Sequence, residues 1–347
     1  MRVTLASYDD EPPLGGQGVM LAGMRAALVR REVAVDTVAG RGTHAIRYPN
    51  LLHRGPLDFS LQLNRRPSLL TQRNPDVVHA LGGPGGVLLL RRLDVPLLYT
   101  ANHTYRQAHP RGTPKRVMAP LETRAYRRAQ TVLALSASTA AALREMGIDG
   151  KRVEVSMPGV DVPPDVVSTR EERRVLFAGR LEAEKGVLDA VNVMLALLRS
   201  GAAASAAVVG TGSLDAEVRE RVAAEPGIEV LGTIAASALR EQYRRASLVL
   251  MPSRYEGLGL VALEAQAMAT PVVGYDVDGL RDAVAGDGVL VQLGDRTALF
   301  TAASLLLRDP ARAAALGESA RDRMRSEHAW PVVADRLVEV YDAARRS

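Results

Sequence analysis

The sequence predicts an α/β protein built from two doubly wound, Rossmann-like parallel-sheet domains of similar size. Three observations predict this. Short apolar runs alternate with amphipathic helical stretches along the whole chain, the pattern of repeated βαβ units. The chain has 347 residues, enough for two domains of about 150 residues each. The alternation is interrupted at residues 158–168, PGVDVPPDVVS, where three prolines and a glycine stand without helical periodicity and mark a linker. The expected division is therefore 1–165 and 166–330, with a last helix at 331–347 crossing back to the first domain.

In the first domain, residues 2–6 read as a strand, 14–18 as a glycine-rich loop and 19–31 as a helix. Met20, Met24, Ala27 and Leu28 share one face of that helix. Further strands are expected at 33–38, 77–81, 96–100 and 131–135, with helices at 114–128 and 138–146. In the second domain, strands at 174–178, 206–210, 228–231, 248–252 and 271–275 alternate with helices at 186–200, 214–225, 237–246 and 259–268. A final helical stretch covers 297–327, Trp330-Pro331 breaks it, and 332–346 forms one more helix.

Composition narrows the function classes. Hydrophobic residues are 47% and charged residues 24%, which excludes disordered and low-complexity proteins. No apolar run approaches the roughly 18 residues a spanning helix needs. With no cysteine and six scattered histidines, neither a disulfide framework nor a metal site is expected. The opening residues do not read as a signal peptide, so a cytoplasmic location is expected. Charge is uneven: residues 1–169 carry 22 Lys and Arg against 14 acids, residues 170–347 carry 22 against 25. The first domain is therefore the one to meet an anionic partner.

Both familiar nucleotide motifs fail. Gly15-Gly16-Gln17-Gly18 lacks the third small residue of a dinucleotide fingerprint, since Leu21 stands there. No Gly-Lys-Ser/Thr occurs anywhere. The glycines are compatible with an anion at a helix N-terminus or with an ordinary strand–helix turn. The second domain is more specific. GRLEAEKG, residues 179–186, follows a strand and opens a helix, which sets Arg180 and Lys185 at the carboxyl edge of the sheet as a diphosphate clamp. After the strand at 248–252, Glu256 and Glu264 stand eight positions apart around a Gly-x-Gly turn that starts a helix. Carboxylates suit sugar and ribose hydroxyls, and free amides at a helix N-terminus suit phosphate oxygens. The combination fits a nucleotide sugar.

These residues resemble the retaining glycosyltransferases of family 4, built on the GT-B fold of two Rossmann-like domains facing a central cleft. The E-x7-E signature is Glu256 and Glu264 within PSRYEGLGLVALEAQAMATPVV, and the clamp is GRLEAEKG. PDVVHALGG (75–83), SMPGVDV (156–162), VVGTGS (208–213) and VLGTI (230–234) are also family-like. The resemblance implies that Arg180 and Lys185, next to Gly179, bind the donor diphosphate, that Glu264 accepts ribose hydroxyls and that Glu256 lies near the donor sugar. It implies that the amides of Gly257, Leu258, Gly259 and Leu260 hold sugar and phosphate oxygens, and that Gly16 closes over the diphosphate. The base would rest at Thr233 and Ile234 with Leu239 nearby. A loop histidine is ordinarily a solvated side chain, yet His103 occupies the family's position facing the donor sugar. His79 reads as structural. Leu258 replaces a common aromatic, Thr270 a common glycine, and Asp278 precedes Gly279 in a turn often richer in glycine.

The implied activity is transfer of a sugar, with retention and without a metal or other cofactor, from a nucleoside-diphosphate sugar to an unidentified acceptor. Residues 102–128 hold Arg106, Arg111, Lys115, Arg116, Arg124, Arg127 and Arg128 against the single acid Glu122. Such a stretch reads either as a solvated helix face or as peripheral contact with an anionic membrane. It carries no nucleic-acid-binding motif. A nucleotide-sugar 2-epimerase and a non-catalytic nucleotide-sugar-binding protein are the alternative readings.

Overall fold

The computed structural model describes residues 1–13, 15–109, 112–164 and 170–346. Leu14 of the glycine-rich loop, Arg111 of the basic stretch, and residues 165–168 of the linker with the boundary expected there lie outside the described residues. The chain forms two units, Met1–Gly159 with His328–Ser347, and Val160–Glu327.

The first unit holds β1 (Arg2–Ser7), β2 (Ala34–Ala39), β3 (Val77–Gly82), β4 (Leu97–Ala101), β5 (Thr131–Ala134) and β6 (Val153–Val155). They form one sheet in the order β2-β1-β3-β4-β5-β6, parallel at every pairing. The second unit holds β7 (Arg174–Ala178), β8 (Ser205–Val209), β9 (Ile228–Gly232), β10 (Leu248–Met251), β11 (Val272–Tyr275) and β12 (Gly288–Val291). Their order is β12-β11-β10-β7-β8-β9, again parallel. Helices on both faces explain why the central strands read as uninterrupted apolar runs. β3, β4, β7 and β10 are buried at every position. In the second unit the helix Val187–Arg199 turns Val187, Ala190, Val191, Met194 and Leu197 into the same core as Phe177, Leu250 and Val273.

Several expected elements differ. The helical stretch expected at 297–327 is three pieces: Arg296–Arg308, Pro310–Arg323 and a π-helical turn at Met324–His328. Pro310 disfavours helical backbone at Asp309, whose side chain instead caps the next helix through the Arg312 amide at 3.0 Å. Trp330-Pro331 begins the last helix, Trp330–Arg346, since proline is tolerated in a first turn. The helix expected at 114–128 is a 3-10 turn, Pro114–Met118, followed by Ala119–Tyr126 with Pro120 in its first turn. The edge strands β6 and β12 and the helix Asp278–Val284 went unpredicted, being short and only partly buried or compressed between other elements.

The last helix belongs to the first unit. Trp330, Val333, Ala334, Leu337, Tyr341 and Ala344 form its buried stripe, at helical spacing. The Trp330 indole lies between two glycines: a Cβ at Gly23 would fall 2.1 Å from the ring, and one at Gly159 would fall 2.4 Å from it. Further along, the Tyr341 hydroxyl meets His79 Nδ1 at 2.7 Å, and His79 Nε2 meets Thr100 Oγ1 at 2.7 Å. Burial drives the His79 pKa down to about 3, so this imidazole is a neutral core bridge between β3, β4 and the last helix. We expect Trp330→Ala to destabilise the protein by about 3–5 kcal/mol, the usual cost of emptying an aromatic site, measured by denaturant unfolding.

Candidate active site

The strand order of the second unit reverses between β7 and β10. In open α/β sheets ligands bind outside the carboxyl ends of the strands at such a reversal. Here β7 leads into residues 179–186 and β10 into residues 252–259, so both sequence-predicted loops emerge side by side. Their approach is close. Gly186 has φ 67°, and a Cβ there would lie 1.9 Å from the Pro252 carbonyl oxygen. Only glycine fits both conditions. The Arg254 amide donates to the Glu184 carbonyl at 2.8 Å. A third loop is fastened to the first: Glu182 accepts from the Ser213 amide at 3.0 Å and hydroxyl at 2.5 Å, bonds that hold its carboxyl below the usual range.

The clamp cations have acidic neighbours. Lys185 Nζ donates to Glu256 Oε1 at 2.8 Å, and the Ser253 hydroxyl donates to the same oxygen at 2.8 Å. The Glu256 side chain is 8% exposed and Lys185 23%, so this pair is set into the loop floor. Arg180 pairs with Glu184, both more than half exposed. Such a surface pair is worth about 0–1 kcal/mol, and an incoming phosphate can compete for the guanidinium.

Glu264 stands in the second turn of the helix Leu260–Ala267. The buried Tyr243 hydroxyl, from helix Ala236–Arg245, donates to its Oε2 at 2.9 Å. Burial pushes the Glu264 carboxyl up, with the Tyr243 bond and the charge of Arg240 opposing. Gly259 caps the helix in the left-handed region at φ 84°, with no side-chain cap and no acid in the first turn. The positive helix end therefore has neither a side-chain cap nor a first-turn acid of its own. Leu258 and Gly259 are buried, Gly257 and Leu260 half-buried. Thr270 donates to the Tyr243 carbonyl at 2.7 Å, which gives that unusual threonine a role in seating Tyr243. Gly179 sits at the end of β7 with φ 149°. Thr233 and Thr211 hydroxyls meet at 3.2 Å on the shelf after β8 and β9, with Ile234 and Leu239 partly exposed beside it.

The first unit reverses strand order between β1 and β3. Gly16 is exposed as the first residue of the helix Gly16–Arg30, and Asp9 Oδ2 accepts from the Gly15 amide at 3.2 Å. A Cβ at Gly18 would lie 2.6 Å from that same oxygen. His103, half-buried, follows β4, and its carbonyl would meet a Gly83 Cβ at 2.8 Å. Thr104 then caps the short helix Tyr105–Ala108 in a capping box with Gln107. Arg106, Arg124, Arg127 and Arg128 line a cavity of about 500 Å³ with Pro120, Thr123 and Met146. Among the described residues no group of His, Cys, Asp and Glu has the arrangement to hold a metal ion, and no helix is long and apolar enough to cross a membrane.

Sequence reasoning missed Tyr243, Ser253 and Ser213, the hydroxyls that aim the site carboxylates. Ser253 and Ser213 stand within the family-like stretches PSRYEGLG and VVGTGS, but residue type alone does not pair them with Glu256 and Glu182, and Tyr243 stands in no motif.

Comparison with known proteins bears on the family and the fold. Residues 172–309 match the model of glycosyl transferases group 1, and residues 14–163 that of glycosyltransferase family 4. The chain is 31% identical to the glycogen synthase of Mycobacterium tuberculosis over 290 residues, covering 78% of this chain and 70% of that protein. It is 30% identical to the D-inositol 3-phosphate glycosyltransferase of Xylanimonas cellulosilytica over 394 aligned positions, covering 96% and 92%. Among solved structures, the sucrose-phosphate synthase of Thermosynechococcus elongatus superimposes with a TM-score of 0.79 at 21% identity, covering 99% of this chain and 98% of that one. TarM of S. aureus, in complex with Fondaparinux, alpha-GlcNAc-glycerol and UDP, gives 0.62 at 15% identity; the match covers 72% of this chain and 51% of that longer one. The chain belongs to the family 4 glycosyltransferases and has the GT-B fold.

Proposed function

We propose that the chain is a retaining hexosyltransferase that moves a sugar from a nucleoside-diphosphate sugar to a hydroxyl acceptor without a metal ion. One observation carries this: Arg180, Lys185 and Glu256 stand on two interlocked loops at the β7/β10 reversal, and the second loop leads into an uncapped helix that carries Glu264. Arg180 and Lys185 neutralise the diphosphate as it leaves, the fixed-charge stabilisation that often supplies the largest part of catalysis. Glu264 accepts the ribose hydroxyls. Glu256, anchored by Lys185 and Ser253, meets sugar hydroxyls away from the reacting carbon. The amides of residues 257–260 receive phosphate and sugar oxygens, and the shelf at Thr233, Ile234 and Leu239 takes the base.

Retention follows if the acceptor hydroxyl attacks from the face the diphosphate leaves, with the departing phosphate oxygen taking the hydroxyl proton. The bond to the leaving oxygen breaks as the new glycosidic bond forms, and no covalent enzyme intermediate is required. The family resemblance assigns Gly16 to the diphosphate and His103 to the sugar in this reaction. The arginines around the first unit's cavity are offered to an anionic surface, at roughly 1 kcal/mol per cation near such a membrane.

Thermal stabilisation by UDP, GDP, ADP, dTDP and their sugar conjugates tests the donor assignment, with UDP first because TarM was solved with it. A nucleotide at 100 times its Kd adds about 2.7 kcal/mol, so one base series should raise Tm; a folded sample that responds to none overturns the proposal. Glu264→Ala and Arg180→Ala should each weaken nucleotide binding by about 1.5–3 kcal/mol, roughly 10- to 150-fold, the range for a lost charged hydrogen bond. Calorimetric titration checks this, and unchanged affinity in both variants removes the assignment. His103→Ala should slow release of nucleoside diphosphate from the sugar conjugate while leaving nucleotide affinity intact.

A further inference from the structure

Glu122 is the one acid among the cations of residues 102–128, and it faces inward. It is 0% exposed, on the helix Ala119–Tyr126. A fully buried carboxylate is expensive unless its oxygens are bonded, and here the bonds lead to two loops. Oε2 accepts from the Tyr105 amide at 2.9 Å, two residues beyond His103. Oε1 accepts from the Tyr126 hydroxyl at 3.4 Å, and that hydroxyl takes a backbone bond from Gly83. Gly83 is the residue whose Cβ would press on the His103 carbonyl. The Tyr105 hydroxyl in turn accepts from the Gly85 amide at 3.5 Å. One carboxylate thus ties the turn after β3 to the turn after β4, and His103 sits between the two ties.

We propose that Glu122 is a positioning residue for His103, fixing the backbone that aims the imidazole. This rests on the reading that His103 faces the donor sugar. The arrangement explains an acid buried beneath an arginine-rich surface, where an apolar residue of similar size would leave the Tyr105 amide and the Tyr126 hydroxyl without an acceptor. Tyr105, Arg106 and Tyr126 are the ionisable groups that face Glu122, and Tyr99 packs edge-on against Tyr126. Burial pushes the Glu122 carboxyl up to about 7. The sign follows: a carboxyl raised in the folded state stabilises below its ordinary range, and that contribution is lost as pH rises through about 7.

The test uses the full chain labelled at histidine, with the His103 ring signals assigned through His103→Gln. In Glu122→Ala the His103 signals should move or broaden, with those of His53 unchanged, and Glu122→Gln, which keeps an acceptor for the Tyr105 amide, should restore them. Tyr126→Phe, which cuts only the tie to Gly83, gives a second variant should Glu122→Ala fail to fold, and is expected to displace the same signals. Unmoved His103 signals in whichever variant folds overturn the proposal. Hydrolysis of UDP-glucose separates the two ideas. A fall of tenfold or more in His103→Gln at unchanged UDP affinity supports the underlying reading. Wild-type turnover in His103→Gln removes that reading, whatever the ring signals show of the geometry.

Discussion

The candidate site depends on how closely two loops approach at the β7/β10 reversal. The Gly186 backbone lies so near the Pro252 carbonyl that any side chain there would overlap it, and the left-handed conformation at Gly186 turns the clamp loop into the helix Val187–Arg199. Everything that follows in the second unit assumes this contact. Lys185, one residue earlier, reaches Glu256 across it, and Arg254 on the far loop bonds back to Glu184. The topological reversal brings the two strand ends together, and the absence of a side chain at one position lets their loops interlock.

The charges within this frame are arranged unequally. Lys185 and Glu256 form a partly desolvated pair whose desolvation cost is offset only by good geometry and further bonds, and Ser253 supplies one of those bonds. Arg180 and Glu184 lie in solvent and hold each other weakly. The first pair is therefore scaffold as much as binding group, and the second is the more readily exchanged. On the proposed function, a diphosphate arriving at Arg180 would displace an exposed carboxylate at little cost, whereas one arriving at Lys185 would meet a cation already oriented.

Much of this was legible in the sequence. The central strands of both sheets are short and mainly apolar, so periodicity located β1, β3, β7, β8 and β10 within a residue or two, and with them the loops that carry Arg180, Lys185 and Glu256. The edge strands β6 and β12 were not legible, because a three- or four-residue strand with half-exposed positions gives no pattern distinct from a loop. Asp309 and Pro310 carry a helix-breaking signal that the surrounding periodicity overrode. Within the site, residue types announced the carboxylates and cations, but not what holds them. Tyr243 and Glu264 lie on different helices, and Glu182 and Ser213 on different loops. Such pairings exist only once strand order is known.

Each of four carboxylates accepts from a side-chain hydroxyl, whatever else bonds it. Tyr243 aims Glu264, Ser253 helps aim Glu256, Ser213 fixes Glu182, and Tyr126 bonds Glu122. A bidentate guanidinium would occupy both oxygens of a carboxylate. A hydroxyl engages one oxygen, adds no charge, and leaves most of the roughly four acceptor positions of the group unused. For Glu264 that spare capacity is what the two ribose hydroxyls of the proposed donor would require. Neutral donors thus orient a carboxylate without consuming it, and at Glu264, where burial already raises the carboxyl, the pair of hydroxyls that the proposed function brings would supply hydrogen bonds that favour its charged form.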